Sequence, residues 1–387
     1  MRTTAERLRS TETQELWPAR GEVPQELAGT LLQAYPHPGL CSRRHPETAP
    51  LAVSGIRFRD GRVSWYLAGG TRRPCPFVGP VATLGDEVRL AALPAAVGTE
   101  HAAAAWPVRD PEGPYWHTVV TFADRPYADH LVVGDGGLYR SRRRFALDHA
   151  PLMHTVALTR RYVVLVDPPV TYHRAAALIG ERSPYAWDQD RPARIGLLSR
   201  TGDEPAPRWF DIDPGYTFRA VNAYDDGDQV VVDLLWHDGN AGNAGRALPE
   251  PGPAPVVRWT LDLPTGAAWA HTLTAEARVA VTDPSAVGRA HRFVYGAAGS
   301  TITRHDLKTG HTAVHELGPG RRAGQPVPVH SEEGDWLLAF VEDVAHRGAT
   351  ALVLDAADVA AAPVAEVPLP AGVPVSTRAT WIAGTRR

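Results

Sequence analysis

The chain has 387 residues, of which 44% are hydrophobic and 21% charged, and a formal net charge of −3. This is an ordinary globular balance, and a charge so close to zero leaves no basic footprint for nucleic acid. The length exceeds the usual single-domain range, but large closed all-β folds run this long as one unit, so a single domain over residues 1–387 is expected.

The opening residues MRTTAERLRSTETQELW contain no apolar stretch of leader length, and no run of about 20 apolar residues offers a bilayer span, so a cytoplasmic protein is expected. Residues 2–16 have helical periodicity and predict a helical N-terminal extension within 1–20. Cys41 and Cys75 lack neighbours at zinc-finger spacing and read as free thiols. Short alternating apolar runs followed by turns then recur at 57–66, 117–122, 129–137, 161–167, 194–203, 229–236, 256–266, 301–310, 335–343 and 350–359. Asp60-Gly61, the stretch from Asp262 to Gly266 and that from Asp306 to Gly310 have the composition of hairpin connections. Helical periodicity is otherwise confined to 173–183 and 355–361. Many evenly spread short strands favour a closed all-β form that hides its sheet edges, a propeller ahead of a sandwich.

Several motifs of other chemistries are absent or weak. There is no G-x-S-x-G elbow, P-loop or dinucleotide fingerprint. The run Asp225-Asp226-Gly227-Asp228 lies between strand-like segments and predicts a solvated hairpin turn rather than a metal loop. His311 and His315 have i, i+4 spacing, but the strand-like context around them argues against a zinc pair.

Blocks distributed over nearly the whole chain carry a more specific signal. They are VPQELAGTLLQAYPHPG (23–39), AAWPVRDPEG (104–113), PLMHTVALTRRYVVLVDPP (151–169) and the long block at 193–233 that contains GYTFRAVNAYDDGD. GRAHRFVY (288–295), GQPVPV (324–329), EEGDWLLAFVED (332–343) and LVLDAADVAAAPVAEVPLPAGVPVSTRATW (352–381) follow. In order, spacing and composition the chain resembles the carotenoid cleavage oxygenase family. The resemblance implies a seven-bladed β-propeller, with a loop or helix cap over an axial reaction centre where four imidazoles hold a ferrous ion and carboxylates orient them. It also raises membrane contact, for which residues 90–98, LAALPAAVG, are the one short apolar candidate, although the stretch reads better as a buried loop.

Carried over residue by residue, the four ligand positions hold Trp106, His154, Arg219 and Arg378, and two supporting carboxylate positions hold Thr282 and Gln325. Arginine has no lone pair to donate and stays protonated, and the tryptophan nitrogen is a donor only. Opposed or like unit charges about 4 Å apart interact by roughly 4 kcal/mol at an effective dielectric of about 20, so a guanidinium beside a divalent ion is costly. His101 with His154 would still lack further ligands. No metal or other cofactor is therefore expected. The same residues suggest an anion site, in which Arg219 and Arg378 grip an oxyanion, Trp106 forms an aromatic wall, Gln325 and Thr282 contribute polar contacts, and His154 acts as general acid or base near its ordinary pKa. That predicts a metal-independent cyclase, isomerase or lyase acting on a hydrophobic terpenoid, polyene or aromatic compound with an anionic or carbonyl group. A non-catalytic isoprenoid-binding protein is the alternative, and iron-dependent alkene cleavage the least favoured reading. Lys308 is the one lysine among forty basic residues, so an arginine-biased sequence could also have acquired both arginines by drift.

Overall fold

In QVVVDLLW and DWLLAFVED the apolar residues are too continuous for a sheet with one wet face. The computed structural model shows why: strands Gln229–Asp238 and Asp335–Asp343 are buried on both faces, because each sheet is sandwiched between two others. The structure describes residues 7–8, 10–36, 51–68, 78–84, 87–92, 102–122, 125–134, 139–173, 175, 178, 185–202, 204–239, 252–331 and 334–384.

The described strands form seven antiparallel sheets of three or more strands, the blades of a β-propeller. Blade I contains Gly29–Pro36, Leu51–Arg59 and Arg62–Ala68; blade II contains Val78–Leu84 and Glu87–Ala92. Blade III contains Ala102–Ala104, Val108–Arg109, Tyr115–Phe122, Arg125–Gly134 and Tyr139–Ala146. Blade IV contains Val156–Leu158, Tyr162–Asp167, Ala193–Ser199 and Arg208–Ile212, and blade V contains Gly215–Asp226, Gln229–Asp238, Val256–Asp262 and Ala268–Thr272. Blade VI runs from Val279–Val281 to Thr312–Glu316, and blade VII from Arg321–Ala323 to Ala365–Pro368.

Both chain ends close the ring. Ala379–Ala383 pairs with Gly29–Pro36 in blade I, while near the N-terminus Arg7–Leu8, Ser10–Leu16 and Arg20–Gly21 add edge strands to blades II, I and VII. Within the helical extension expected over 1–20, the described residues form strands at 7–8, 10–16 and 20 instead of a helix. Its helix formers have only weak local preference, and pairing of Ser10–Leu16 with Arg62–Ala68 overrides it. Residues 355–361 likewise end a strand and form turns instead of a helix. The expected 173–183 helix lies largely outside the described residues, as do His101, Cys41, Cys75 and residues 93–98.

The turn expectations hold. Asp60 and Gly61, at φ 50° and 70°, connect Arg59 to Arg62 as a two-residue hairpin that needs both residues left-handed. Asp226 pairs with Gln229 across the turn at Gly227, and the two other predicted hairpins join neighbouring strands of blades V and VI. His315 lies within strand Thr312–Glu316 and His311 just before it, so the pair lacks helical spacing.

The core is divided into layers between adjacent blades. Phe210, Val232 and Trp259 belong to the layer between IV and V, Ile302, Leu337 and Leu352 to that between VI and VII, and Phe58, Phe340 and Val353 to that between VII and I. Among the described residues no helix is long and apolar enough to cross a membrane. Phe58 is 1% exposed in the layer where the ring closes, with its ring 5.9 Å from Trp381 of the closing strand. Phe58→Ala should lower stability by about 3–5 kcal/mol in urea denaturation; a cost under about 1 kcal/mol would mean that this layer does not carry the closure.

Candidate functional site

Residues of non-neighbouring blades can meet only at the propeller axis, and the residues singled out in the sequence do meet there. Trp106 lies just before Val108–Arg109 of blade III and His154 just before Val156–Leu158 of blade IV. Their segments are joined by the Trp106 N–H donating to the His154 carbonyl at 2.8 Å. Arg219 lies in Gly215–Asp226 of blade V, between two register shifts that break regular pairing and turn it towards the axis. Arg378 directly precedes the closing strand Ala379–Ala383, and its guanidinium lies 4.0 Å from the Trp106 ring centre. All four are half-buried, and His154, Arg219 and Arg378 are densely surrounded by protein atoms.

The two arginines differ. Arg219 donates from Nη1 to Gln325 Oε1 at 2.8 Å and from Nη2 to the Thr377 carbonyl at 2.7 Å. Arg378 has its stacking on Trp106 but no hydrogen bond or ion pair from its guanidinium to a described residue. Burial lowers Arg219 to about 10, and burial together with the Arg219 charge lowers Arg378 to about 9, so both remain cationic at neutral pH. The acceptors that Arg219 finds are neutral, and no carboxylate among the described residues pairs with either guanidinium.

The His154 ring meets that of Phe218, the residue before Arg219, at 4.5 Å in a tilted contact. Burial, then the Arg378 charge, lowers its pKa to about 4. The expectation of an imidazole with a pKa near operating pH is therefore corrected: His154 is neutral at physiological pH, with one ring nitrogen an acceptor and the other an N–H donor. Thr282 is buried and donates its hydroxyl to the Phe293 carbonyl, with no hydrogen bond to the axial cluster. Gln325 is in the cluster as the partner of Arg219.

Sequence reasoning missed the aromatic flank. Phe218, Tyr216 and His237 are mutually in ring contact, and Trp187 of the ribbon Val170–Tyr172/Tyr185–Trp187 meets Tyr216 at 6.2 Å. The aromatic pair flanking Thr217 in GYTFRAV was the available signal. Away from the axis, Asp148, His149 and Asp167 bring ligand atoms within 4.8 Å of one another. Arg194 already donates to Asp148 Oδ1 at 2.8 Å and Asp167 Oδ2 at 2.6 Å, which makes this group an ion-pair cluster.

Comparison with known proteins agrees with this geometry. The family model described as retinal pigment epithelial membrane protein matches residues 82–383. A carotenoid cleavage oxygenase of Mycobacterium tuberculosis is 27% identical over 94% of this chain and 93% of its own length. The apocarotenoid-15,15'-oxygenase of Synechocystis is 25% identical over 59% of this chain and 51% of its own length. In three dimensions, a mutant of Synechocystis apocarotenoid oxygenase superposes with a TM-score of 0.75 at 19% identity, covering 97% of both chains. Pseudomonas brassicacearum lignostilbene dioxygenase gives 0.77 at 19% identity, covering 98% of this chain and 96% of that one. The chain belongs to the carotenoid cleavage oxygenase family.

The ferrous ion implied by the family does not fit the donor set of this chain. Of the four axial positions only His154 offers a lone pair, Arg219 and Arg378 place two positive charges in the same space, and the Trp106 nitrogen has none to give. Gln325 is committed to Arg219, so it is not available to orient a ligand imidazole.

A proton-detected titration of His154 checks the electrostatics of this cluster. Because the folded pKa of about 4 lies below the ordinary 6.5, the unfolded chain takes up the proton first as pH falls. His154 therefore costs stability progressively from pH 6.5 down to 4 and nothing above that window. Arg378→Met should move its titration upward by removing a neighbouring positive charge; an unchanged midpoint would show that Arg378 does not act on His154.

Proposed function

We propose that this chain binds a hydrophobic anionic small molecule at the propeller axis and transforms it without iron, as a cyclase, isomerase or lyase with His154 moving the proton. The observation that carries this reading is the Arg378 guanidinium: buried, cationic, stacked on Trp106 and without a described protein acceptor. An unpaired buried charge is strongly unfavourable, so an anion placed against Arg378 relieves a standing cost. Trp106 and Phe218, backed by the buried Tyr216 and Trp187, suit an extended unsaturated body, and relatives named for carotenoid and apocarotenoid substrates support the same kind of body.

Proton transfer follows from the charge balance. In the free protein burial first, and the Arg378 charge second, hold His154 weakly basic. A bound carboxylate or enolate cancels that field, so the imidazole becomes a stronger base only when ligand is present. Double-bond migration and proton-coupled cyclisation take a proton from one substrate atom and return it to another, and elimination takes a C–H proton while the leaving group departs with its bonding pair and accepts that proton; a single neutral imidazole can carry the proton in each case. The low basicity of free His154 also favours the second reading, a binding protein that sequesters such a ligand without turnover.

All-trans-retinoic acid and retinol, which share a polyene and differ in the carboxylate, separate these readings from a simple apolar tunnel. Tryptophan-fluorescence titration should give tighter binding of the acid, with Arg378→Ala weakening it by about 10-fold or more while sparing retinol. Equal affinities for acid and alcohol in the parent would exclude the anion site. Incubation of bound polyene acids in deuterated water should give carbon-bound deuterium with the parent and none with His154→Ala. Binding without any deuterium uptake would leave the sequestering reading.

A further inference from the structure

Arg378 is presented by a segment that has almost no regular pairing. Residues 374–378 are irregular, and the closing strand begins at Ala379. Such a segment should be pliable, yet its polar groups are held almost one by one. Buried Gln33 donates Nε2 to the Pro374 carbonyl at 2.9 Å and accepts the Ser376 N–H on Oε1 at 3.0 Å. Arg219 Nη2 donates to the Thr377 carbonyl at 2.7 Å, the Ser376 hydroxyl accepts the Arg378 N–H at 3.0 Å, and Gln325 Nε2 donates to the Ala379 carbonyl at 2.6 Å. Arg219 and Gln325 are themselves joined at 2.8 Å, so the carbonyls on both sides of Arg378 are gripped by one bonded pair.

Gly324, next to Gln325, completes the frame by close approach. A Cβ there would stand 2.5 Å from the Ser376 carbonyl oxygen and 2.9 Å from Val375 Cγ1, so the segment rests directly on glycine backbone. The frame draws on blade I through Gln33, blade V through Arg219 and blade VII through Gln325. Its members converge on one feature, the backbone that carries the guanidinium with no described acceptor.

We infer that Arg219, Gln325, Gln33 and Gly324 form a positioning frame for Arg378, and that Arg219 is a strut rather than a second anion contact. This assignment rests on the anion reading of Arg378 given above and refines it: the ligand is a monoanion held by one guanidinium edge, not one clamped between two arginines. It also accounts for Arg219 placing one donor of each Nη on a neutral acceptor, Gln325 Oε1 and the Thr377 carbonyl, which fixes the orientation of its guanidinium.

A double-mutant cycle with retinoic acid and retinol tests it. The quantity read is the preference for acid over alcohol, which a general loss of folding or tunnel shape does not move selectively. Arg219→Met, Gln325→Met and Gly324→Ala should each reduce that preference by about 3- to 10-fold, and none should reduce it further in an Arg378→Ala background. Arg219→Lys should restore part of it, because an ammonium can still reach one carbonyl. If Arg219→Met lowers the preference equally with and without Arg378, Arg219 contacts the anion directly and the strut is wrong. Gln325→Met and Gly324→Ala retain the test if Arg219→Met does not fold: an unchanged preference in both would also overturn the frame. A parent with no preference for the acid would instead remove the anion reading beneath it, a different failure from either of these.

Discussion

Two guanidinium groups buried on the axis of a propeller constrain everything else about this protein. Neither can shed its proton at neutral pH, since burial brings them only to about 10 and about 9. Arg219 is stabilised by an amide oxygen and a peptide carbonyl, which solvate a charge without cancelling it. Arg378 has an aromatic face at 4.0 Å and an open edge. The axial centre is therefore positive; together with burial, the larger cause, its charge lowers the pKa of His154, and it disfavours a divalent cation among these four side chains.

The scaffold makes such a centre tolerable. Blades packed face to face place the apolar core between sheets, away from the axial residues, so that core can offset the cost of the axial charges. Ring closure through Ala379–Ala383 brings the C-terminal segment to the axis beside residues more than 150 positions away in sequence, as in the contact between Arg219 and Thr377. Side-chain bonds from Gln33, Gln325 and Arg219 hold the irregular backbone around Arg378.

Much of the fold could be read from the sequence because its signals are local. Asp60-Gly61 and the Asp-to-Gly turns of blades V and VI act over two to five residues, and the period of the apolar runs fixed the strand class. Residues 10–16 were misread for the opposite reason: their strand state is created by pairing with Arg62–Ala68, which local propensity does not encode. The identities of Trp106, His154, Arg219 and Arg378 as axial residues were also legible, since motif order places them. Their division of labour was not. Whether Arg219 faces ligand or Thr377 depends on a contact spanning 158 positions, and the protonation of His154 depends on the field of Arg378 through space. Thr282 illustrates the limit, because a position inherited from a carboxylate says nothing about where a shorter hydroxyl will bond.

Membership in a family named for oxygenases makes iron the sharpest point of contact between ancestry and physics. The direct measurement is elemental analysis of the purified protein, before and after loading with ferrous iron under argon and desalting. A positive axial centre with one lone-pair donor predicts trace iron only, before and after loading. Near-stoichiometric iron that survives desalting and is lost in His154→Ala would contradict the account, because it would require Arg219 and Arg378 to leave the axis and other ligands to take their place.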